Sequence, residues 1–316
     1  MKAPSLDELE AARRRIDGFA IRTPLVRWQE GPAEIWLKLE VLQPIGSFKI
    51  RGARSALATA TPEQLRRGVF TASAGNMAQG VAWCARALGV PCTVIAPDHA
   101  PATKVQAIER LGATVIKVPF DRWWRVLLER AFEGVEGFFV HPVSDPAVIA
   151  GNGSIGLEIA EDLPDVDLVL VPYGGGGLSC GIASALRVVA PKARTVAVEP
   201  DTAAPLNASL EAGEPTPVDY RPSFIDGAGG KSVLAEMWPL AREVLAGAMR
   251  VSVPEVAESV RMLAERSRVV AEGAGALALA AARSGRAKGS KIVAIVSGGN
   301  IDSTRLVAIL RGEVPA

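Results

Sequence analysis

The sequence predicts an α/β protein built from two doubly wound lobes with mainly parallel sheets. Three observations lead to that class. Short apolar runs of strand length alternate with stripes of helical period, the mark of repeated βα units. At residues 166–187, VDLVLVPYGGGGLSCGIASALR, an apolar run enters four consecutive glycines, and Leu178, Ile182, Ala185 and Leu186 then recur at helical spacing. A chain of 316 residues, 49% apolar and 22% charged, is long enough to bury a sizeable core in about two lobes.

In chain order, Ser5 with Glu8 forms a capping box that opens a helix over Leu6 to Ile16. RTPLVR is a turn and extended segment, and Ile35 to Leu39 a strand. In VLQPIGSFKIRGA, residues 41–53, Pro44 and Gly46 break the chain, Ser47 can cap, and a helix begins around Lys49 to Arg54. Strands follow at 69–72, 93–96, 114–118 and 138–140. Helices are expected after SAGN (stripe 78–88) and at 101–111, 121–132 and 148–161. The strands up to about residue 140 are expected to form a separate small lobe. Of the adjacent Trp123 and Trp124, one is expected to face the core and the other a groove or the second lobe. Beyond the glycines come a strand at 195–200, a Pro- and Gly-rich loop over 201–232, and a helix at 233–246. A strand at 250–253, a helix at 254–269 and a small-residue helix in AEGAGALALAAA follow. The last strand, Ile292 to Val296, ends in SGGN, residues 297–300.

Composition narrows the function. The net charge of +1 and the lack of a basic tract argue against nucleic acid or a membrane surface as partner. No apolar run approaches the roughly 20 residues of a membrane span. Three cysteines without a CxxC fit a reduced, cytoplasmic setting. With two histidines, a zinc site or a His-based triad is not expected, and His141, before Pro142, reads as structural.

Four features fall at strand ends or helix starts. Gly174 to Gly177 let backbone N–H groups crowd round an anion at the start of a helix, the alternative being a flexible linker. The run lacks the Lys and Ser/Thr of a P-loop and is not GxGxxG. Lys49 stands at a helix start, where the dipole is already positive. It is either a solvated surface lysine or a partly desolvated amine of lowered pKa, and so a nucleophile. Ser73 to Asn76 open another helix, as caps or as an anion site. Ser297 lies at the carboxyl end of a strand, where open α/β sheets place ligands. An anion socket, a nucleophilic amine and a polar turn suit pyridoxal phosphate, which bonds to a lysine amine.

GSFKIRGA, SAGNMAQG, HPVSDPAVIAGNGSIGLEI, VPYGGGGLSCGIA, AVEP, AEGAGA and VSGGN, in this order over nearly the whole chain, make it resemble the tryptophan-synthase-β-type (fold type II) pyridoxal-phosphate enzymes. Within them it is similar to the threonine/serine dehydratase and serine racemase group. The resemblance implies a cofactor between the lobes, a large cofactor-binding domain of residues 1–52 and 143–316, and a small domain of 53–142. It implies that Lys49 forms the Schiff base and takes the Cα proton, that Phe48 lies against the pyridine ring, and that Asn76 bonds the ring's 3-oxygen. Gly174, Gly175, Gly176, Gly177 and Leu178 would hold the phosphate, and Ser297 the pyridine nitrogen. Ser73, Ala74, Gly75, Asn76 and Gln79 would bind the substrate carboxylate. The implied reaction is β-elimination from L-threonine or L-serine to a 2-oxo acid and ammonia, by a homodimer or homotetramer.

Some positions depart from the group's pattern. Ala74 stands where racemases carry a serine base, which favours dehydration, and Met77 stands where many relatives have His. Glu199 matches one position of a divalent-metal site, but Pro205 replaces the second carboxylate, so no metal is expected. Tyr173 is bulkier than usual, and FIDGAGG is atypical. Little chain follows SGGN, so the regulatory domain of isoleucine-inhibited relatives is not expected. The rivals are an enzyme of the same fold acting on 3-hydroxyaspartate or a related amino acid, a β-replacement synthase, and a non-catalytic protein that binds a phosphate ligand.

Overall fold

A computed structural model describes residues 1–29 and 33–315. The elements run α1 (Leu6–Ile16), β1 (Leu25–Trp28), β2 (Glu34–Leu39), α2 (Lys49–Leu57), α3 (Pro62–Arg66), β3 (Val69–Ala72), α4 (Asn76–Leu88), β4 (Cys92–Pro97), α5 (Ala102–Arg110), β5 (Thr114–Val118), α6 (Phe120–Glu129) and β6 (Phe138–Phe139). They continue with α7 (Pro146–Asp162), β7 (Leu168–Pro172), α8 (Gly177–Val189), β8 (Arg194–Pro200), α9 (Pro205–Ala212), α10 (Trp238–Val244), β9 (Ala248–Val251), α11 (Val253–Met262), α12 (Gly273–Arg283), β10 (Lys291–Val296) and α13 (Ser303–Leu310).

The strands form two sheets. A six-stranded sheet has the order β1-β2-β10-β7-β8-β9, and a four-stranded one the order β5-β4-β3-β6. Among the described residues, the pairings within these two sheets are parallel except that of β1 with β2. Strands buried on both faces read as continuous apolar runs, as in LVLV of β7 and IVAIV of β10.

Buried α7 lies against both α2 and α8, and its glycines set the spacing. A Cβ on Gly151 would stand 2.6 Å from Arg51 O of α2, and one on Gly156 2.8 Å from Ile182 O of α8. Behind α2, Arg51 is fully buried. It donates to Glu40 Oε2 (2.8 Å) and Oε1 (2.9 Å), and to Glu158 Oε1 (2.6 Å) and Oε2 (2.9 Å). Buried Lys38 adds Glu158 Oε2 at 2.7 Å, so two cations face two carboxylates. Cys84, Cys92 and Cys180 are free and buried, and burial pushes each thiol up to about 12.

Several expected elements differ. Residues 201–232 are not wholly loop: α9 forms there because Glu199, seven residues upstream, accepts from Leu206 N and Asn207 N (2.9 Å each) at the helix start. The expected helix at 233–246 begins only at Trp238, since Pro239 cannot sit deeper than the first turn. The strand expected at 250–253 runs over 248–251. The helix at 254–269 becomes α11 and a π turn, Leu263–Ser267, closed by Arg268 at φ 58°. The helix at 121–132 stops at Glu129, with Arg130 left-handed at φ 55°. The extended part of RTPLVR forms β1, and α3 and α13 are additional. Among the described residues no helix is long and apolar enough to cross a membrane.

Candidate active site

Lys49 is pinned to the end of β10. Phe48 N donates to Ser297 O (3.0 Å), Ser47 pairs with Gly298 in an antiparallel bridge, and Gly299 N donates to Gly46 O (2.9 Å). The turn that delivers this segment needs Gly46, whose φ is +70°. Ser47 does not cap α2 as expected: Phe48 occupies the cap position, and the buried Ser47 Oγ has no partner among the described residues. Lys49 Nζ donates to Pro142 O (2.9 Å) and stands 5.2 Å from the Phe48 ring centroid. Burial lowers the pKa of the amine to about 8, with Glu272 pulling the other way.

The acceptor for that amine belongs to a segment held by His141. Its Nδ1 accepts from Val143 N (3.1 Å) and Ser144 N (2.8 Å), and burial, with Arg130 and Lys49 nearby, lowers its pKa to about 4. His141 is therefore neutral and structural, as its place before Pro142 suggested. Val143 packs on the glycine loop, where a Cβ on Gly175 would meet its methyls at 2.6 Å. Gly176, at φ +95°, is the cap residue of α8. Tyr173, which precedes the loop, is fully buried beneath it, and its hydroxyl has no hydrogen-bond partner among the described residues.

The SAGN turn links β3 to α4. Ser73 Oγ accepts from Gly75 N (3.2 Å), and Gly75, with no side-chain cap, precedes Asn76 as the first helical residue. Asn76 Nδ2 donates to Glu272 Oε1 (2.7 Å), and Asn76 Oδ1 accepts from Asn300 Nδ2 (2.7 Å). Asn300 Nδ2 also donates to Ile45 O (2.9 Å). Burial, then Asp226, raises the Glu272 carboxyl to about 7. Neither Glu272 nor Asp226 was among the site residues expected from sequence. A lone acid opening the otherwise apolar AEGAGALALAAA was the available signal for Glu272.

One cavity of about 530 Å³ joins these parts, a size suited to a small-molecule ligand. Phe48, Lys49, Ser73, Ala74, Gly75, Asn76, Gly174 to Gly177, Leu178 and Ser297 all line it. Gln79 does not; it faces an adjoining cleft with Lys104 and Asn300. Among the described residues, α2, α4, α8 and α12 start on this cavity without a side-chain cap; α5, α6 and α10 also lack one, whereas α1, α3, α7, α11 and α13 are capped by Ser5, Thr61, Asp145, Ser252 and Asp302. First-turn N–H groups with no protein acceptor are suited to anions. Glu199, matched in sequence to a metal ligand, spends its carboxylate on the start of α9 and on Asn207 Nδ2 (2.7 Å).

Comparison with known proteins agrees with this geometry. A family model described as "Pyridoxal-phosphate dependent enzyme" matches residues 16–298. The L-threonine ammonia-lyase of Thermotoga maritima is 40% identical over 97% of this chain and 78% of its own. The catabolic L-threonine dehydratase of Escherichia coli K12 is 38% identical over 96% and 95%. Among solved structures, maize serine racemase superposes with a TM-score of 0.91 at 31% identity, covering 98% of each chain. With the family match spanning most of the sequence, the chain belongs to the pyridoxal-phosphate dependent enzymes.

Proposed function

We propose that the protein is a dehydratase that converts L-threonine or L-serine to a 2-oxo acid and ammonia by β-elimination. The observation that carries this reading is the Lys49 amine, brought down to about 8 by burial, sharing one cavity with an uncapped glycine loop. The residues fit pyridoxal phosphate. The Gly174 to Gly177 backbone offers free N–H groups where Cβ atoms would crowd Val143 and Tyr173, and the Tyr173 hydroxyl beneath has no hydrogen-bond partner among the described residues. When bound, that group supplies an electron sink for charge at the substrate Cα.

The remaining roles fall to the chain. We read Gly174 to Gly177 and Leu178 as the phosphate holders, Asn76 as the partner of the ring oxygen and Ser297 as that of the ring nitrogen. Phe48 packs on the ring. The Ser73–Asn76 turn, at the uncapped start of α4, receives the substrate carboxylate, with Gln79 beyond it. Lys49, as general base, removes the Cα proton. Racemisation needs an acid/base on each face of Cα, and Ala74, which lines the cavity where racemases of the group carry a serine, supplies none. We assign the large cofactor-binding domain to 1–52 and 143–316 and the small domain to 53–142, in a cytoplasmic homodimer or homotetramer.

The test is product analysis. The yellow holoenzyme is expected to release ammonia and a 2-oxo acid from L-threonine or L-serine. Lys49→Ala is expected to lose at least about 10³-fold in kcat, within the range for a missing base. A preparation that neither binds pyridoxal phosphate nor releases ammonia would overturn the assignment.

A further inference from the structure

Beyond the carboxylate turn and the amine, the cavity has a third wall, and it is aromatic. Phe120 opens α6 and Trp123 lies one turn on, their ring centroids 5.4 Å apart. The His99 ring stands 6.0 Å from Phe120, and the Trp124 ring stacks near Phe120 at 6.4 Å. His99, Phe120 and Trp123 line the cavity that holds Lys49 and the Ser73–Asn76 turn. Trp123 is anchored against the four-stranded sheet in the cluster of Phe70, Val118 and Val126, while Phe120 keeps 47% of its surface open. A large apolar ring left open on a ligand cavity, over a fixed aromatic base, is a ready surface for another ring to stack on.

The charges on this side point the same way. Apart from Lys49, the lysine lining the cavity is Lys104, and its Nζ is held by Asp226 Oδ2 at 2.7 Å. A second substrate carboxylate, as in 3-hydroxyaspartate, would have to displace that pair. A substrate fixed by its carboxylate at the turn and by its amino group beside Lys49 has its remaining substituent free for the aromatic wall.

We propose that His99, Phe120 and Trp123 form a subsite for an aromatic group on Cβ, so that the enzyme takes a 3-aryl-3-hydroxy amino acid such as 3-phenylserine in preference to threonine. The proposal rests on the dehydratase reading above and specifies its substrate class. The chemistry is redox-neutral. The Cα–H and Cβ–OH bonds break, water leaves, and the enamine takes up one water to release ammonia and 3-phenyl-2-oxopropanoate.

The experiment compares kcat/KM of the holoenzyme for L-threo-3-phenylserine and L-threonine by ammonia release. It also compares inhibition by L-phenylalanine and L-alanine, which occupy the site without a leaving group. Phenylserine is expected to exceed threonine by about tenfold or more, the scale on which apolar pockets discriminate. L-Phenylalanine is expected to bind more tightly than L-alanine by a similar factor. Phe120→Ala is expected to lower the phenylserine-to-threonine ratio at least about fivefold, mainly through KM, and Phe120→Tyr to retain it. Threonine turnover with no preference for phenylserine, or a ratio indifferent to Phe120→Ala, overturns the subsite and leaves the dehydratase standing. Ammonia from neither substrate overturns the dehydratase; equal binding of the two inhibitors then removes the subsite as well.

Discussion

Burial shifts both Lys49 and Glu272 toward their neutral forms, and each partly offsets the other's shift. The amine at about 8 is an ammonium below that pH and a free nucleophile above it, well under its ordinary 10.5. Capture of pyridoxal phosphate by the apoprotein should therefore accelerate about tenfold per pH unit up to pH 8 and then level off. Stopped-flow visible absorbance measures this directly. Glu272, at about 7, is a carboxylate in the upper part of that range and favours the ammonium. Glu272→Gln removes the negative charge, so the midpoint should move to lower pH; an unmoved midpoint would separate the two groups. Lys49 was legible in sequence because a lysine at a helix start contradicts the dipole and calls for a reason. Glu272 was not, because its significance lies in contact with Asn76, 196 positions away.

At the scale of elements, α2 carries the amine forward and Arg51 behind it. Glu40 is buried, which alone would raise its carboxyl, but Arg51 and Thr23 hold it below the ordinary range. Its contribution to stability is present above that range and is lost as pH falls through the lowered value. Arg51→Met would leave Glu40 and Glu158 buried without their guanidinium, at a cost of about 3–5 kcal/mol. Urea titration should show this as a lower midpoint, and Glu40→Gln in the same chain should recover part of it. The sequence displayed strands and long helices well, because their periods are local. It hid α9 and α13, each of eight residues: α9 has little apolar stripe, and α13, STRLVAIL, is short and buries Ile309. The Asp302 cap of α13 was a signal passed over after SGGN. The cap of α9 comes from Glu199 and could be read only from the fold.

Over the whole molecule, the two-sheet plan was readable because the strands of the smaller sheet are contiguous, between residues 69 and 139. Strand order was not, since β10 enters between β2 and β7 through pairings of high sequence separation. The cavity is bordered by residues from both sheets and their helices, so a ligand there holds both in place. Removing pyridoxal phosphate should lower the melting temperature, since a ligand at about 1,000 times its Kd adds roughly 4 kcal/mol to the native state. Equal calorimetric melting of holo and apo forms would show that binding is not coupled to the fold. The three buried thiols near 12 have a practical consequence once set beside the amine near 8. Alkylating reagents meet no thiolate on the native surface, and iodoacetamide should leave the intact mass unchanged until denaturant exposes three adduct sites. Under the same mild conditions, an aldehyde probe trapped by reduction should mark position 49 of the apoprotein before the solvated lysines.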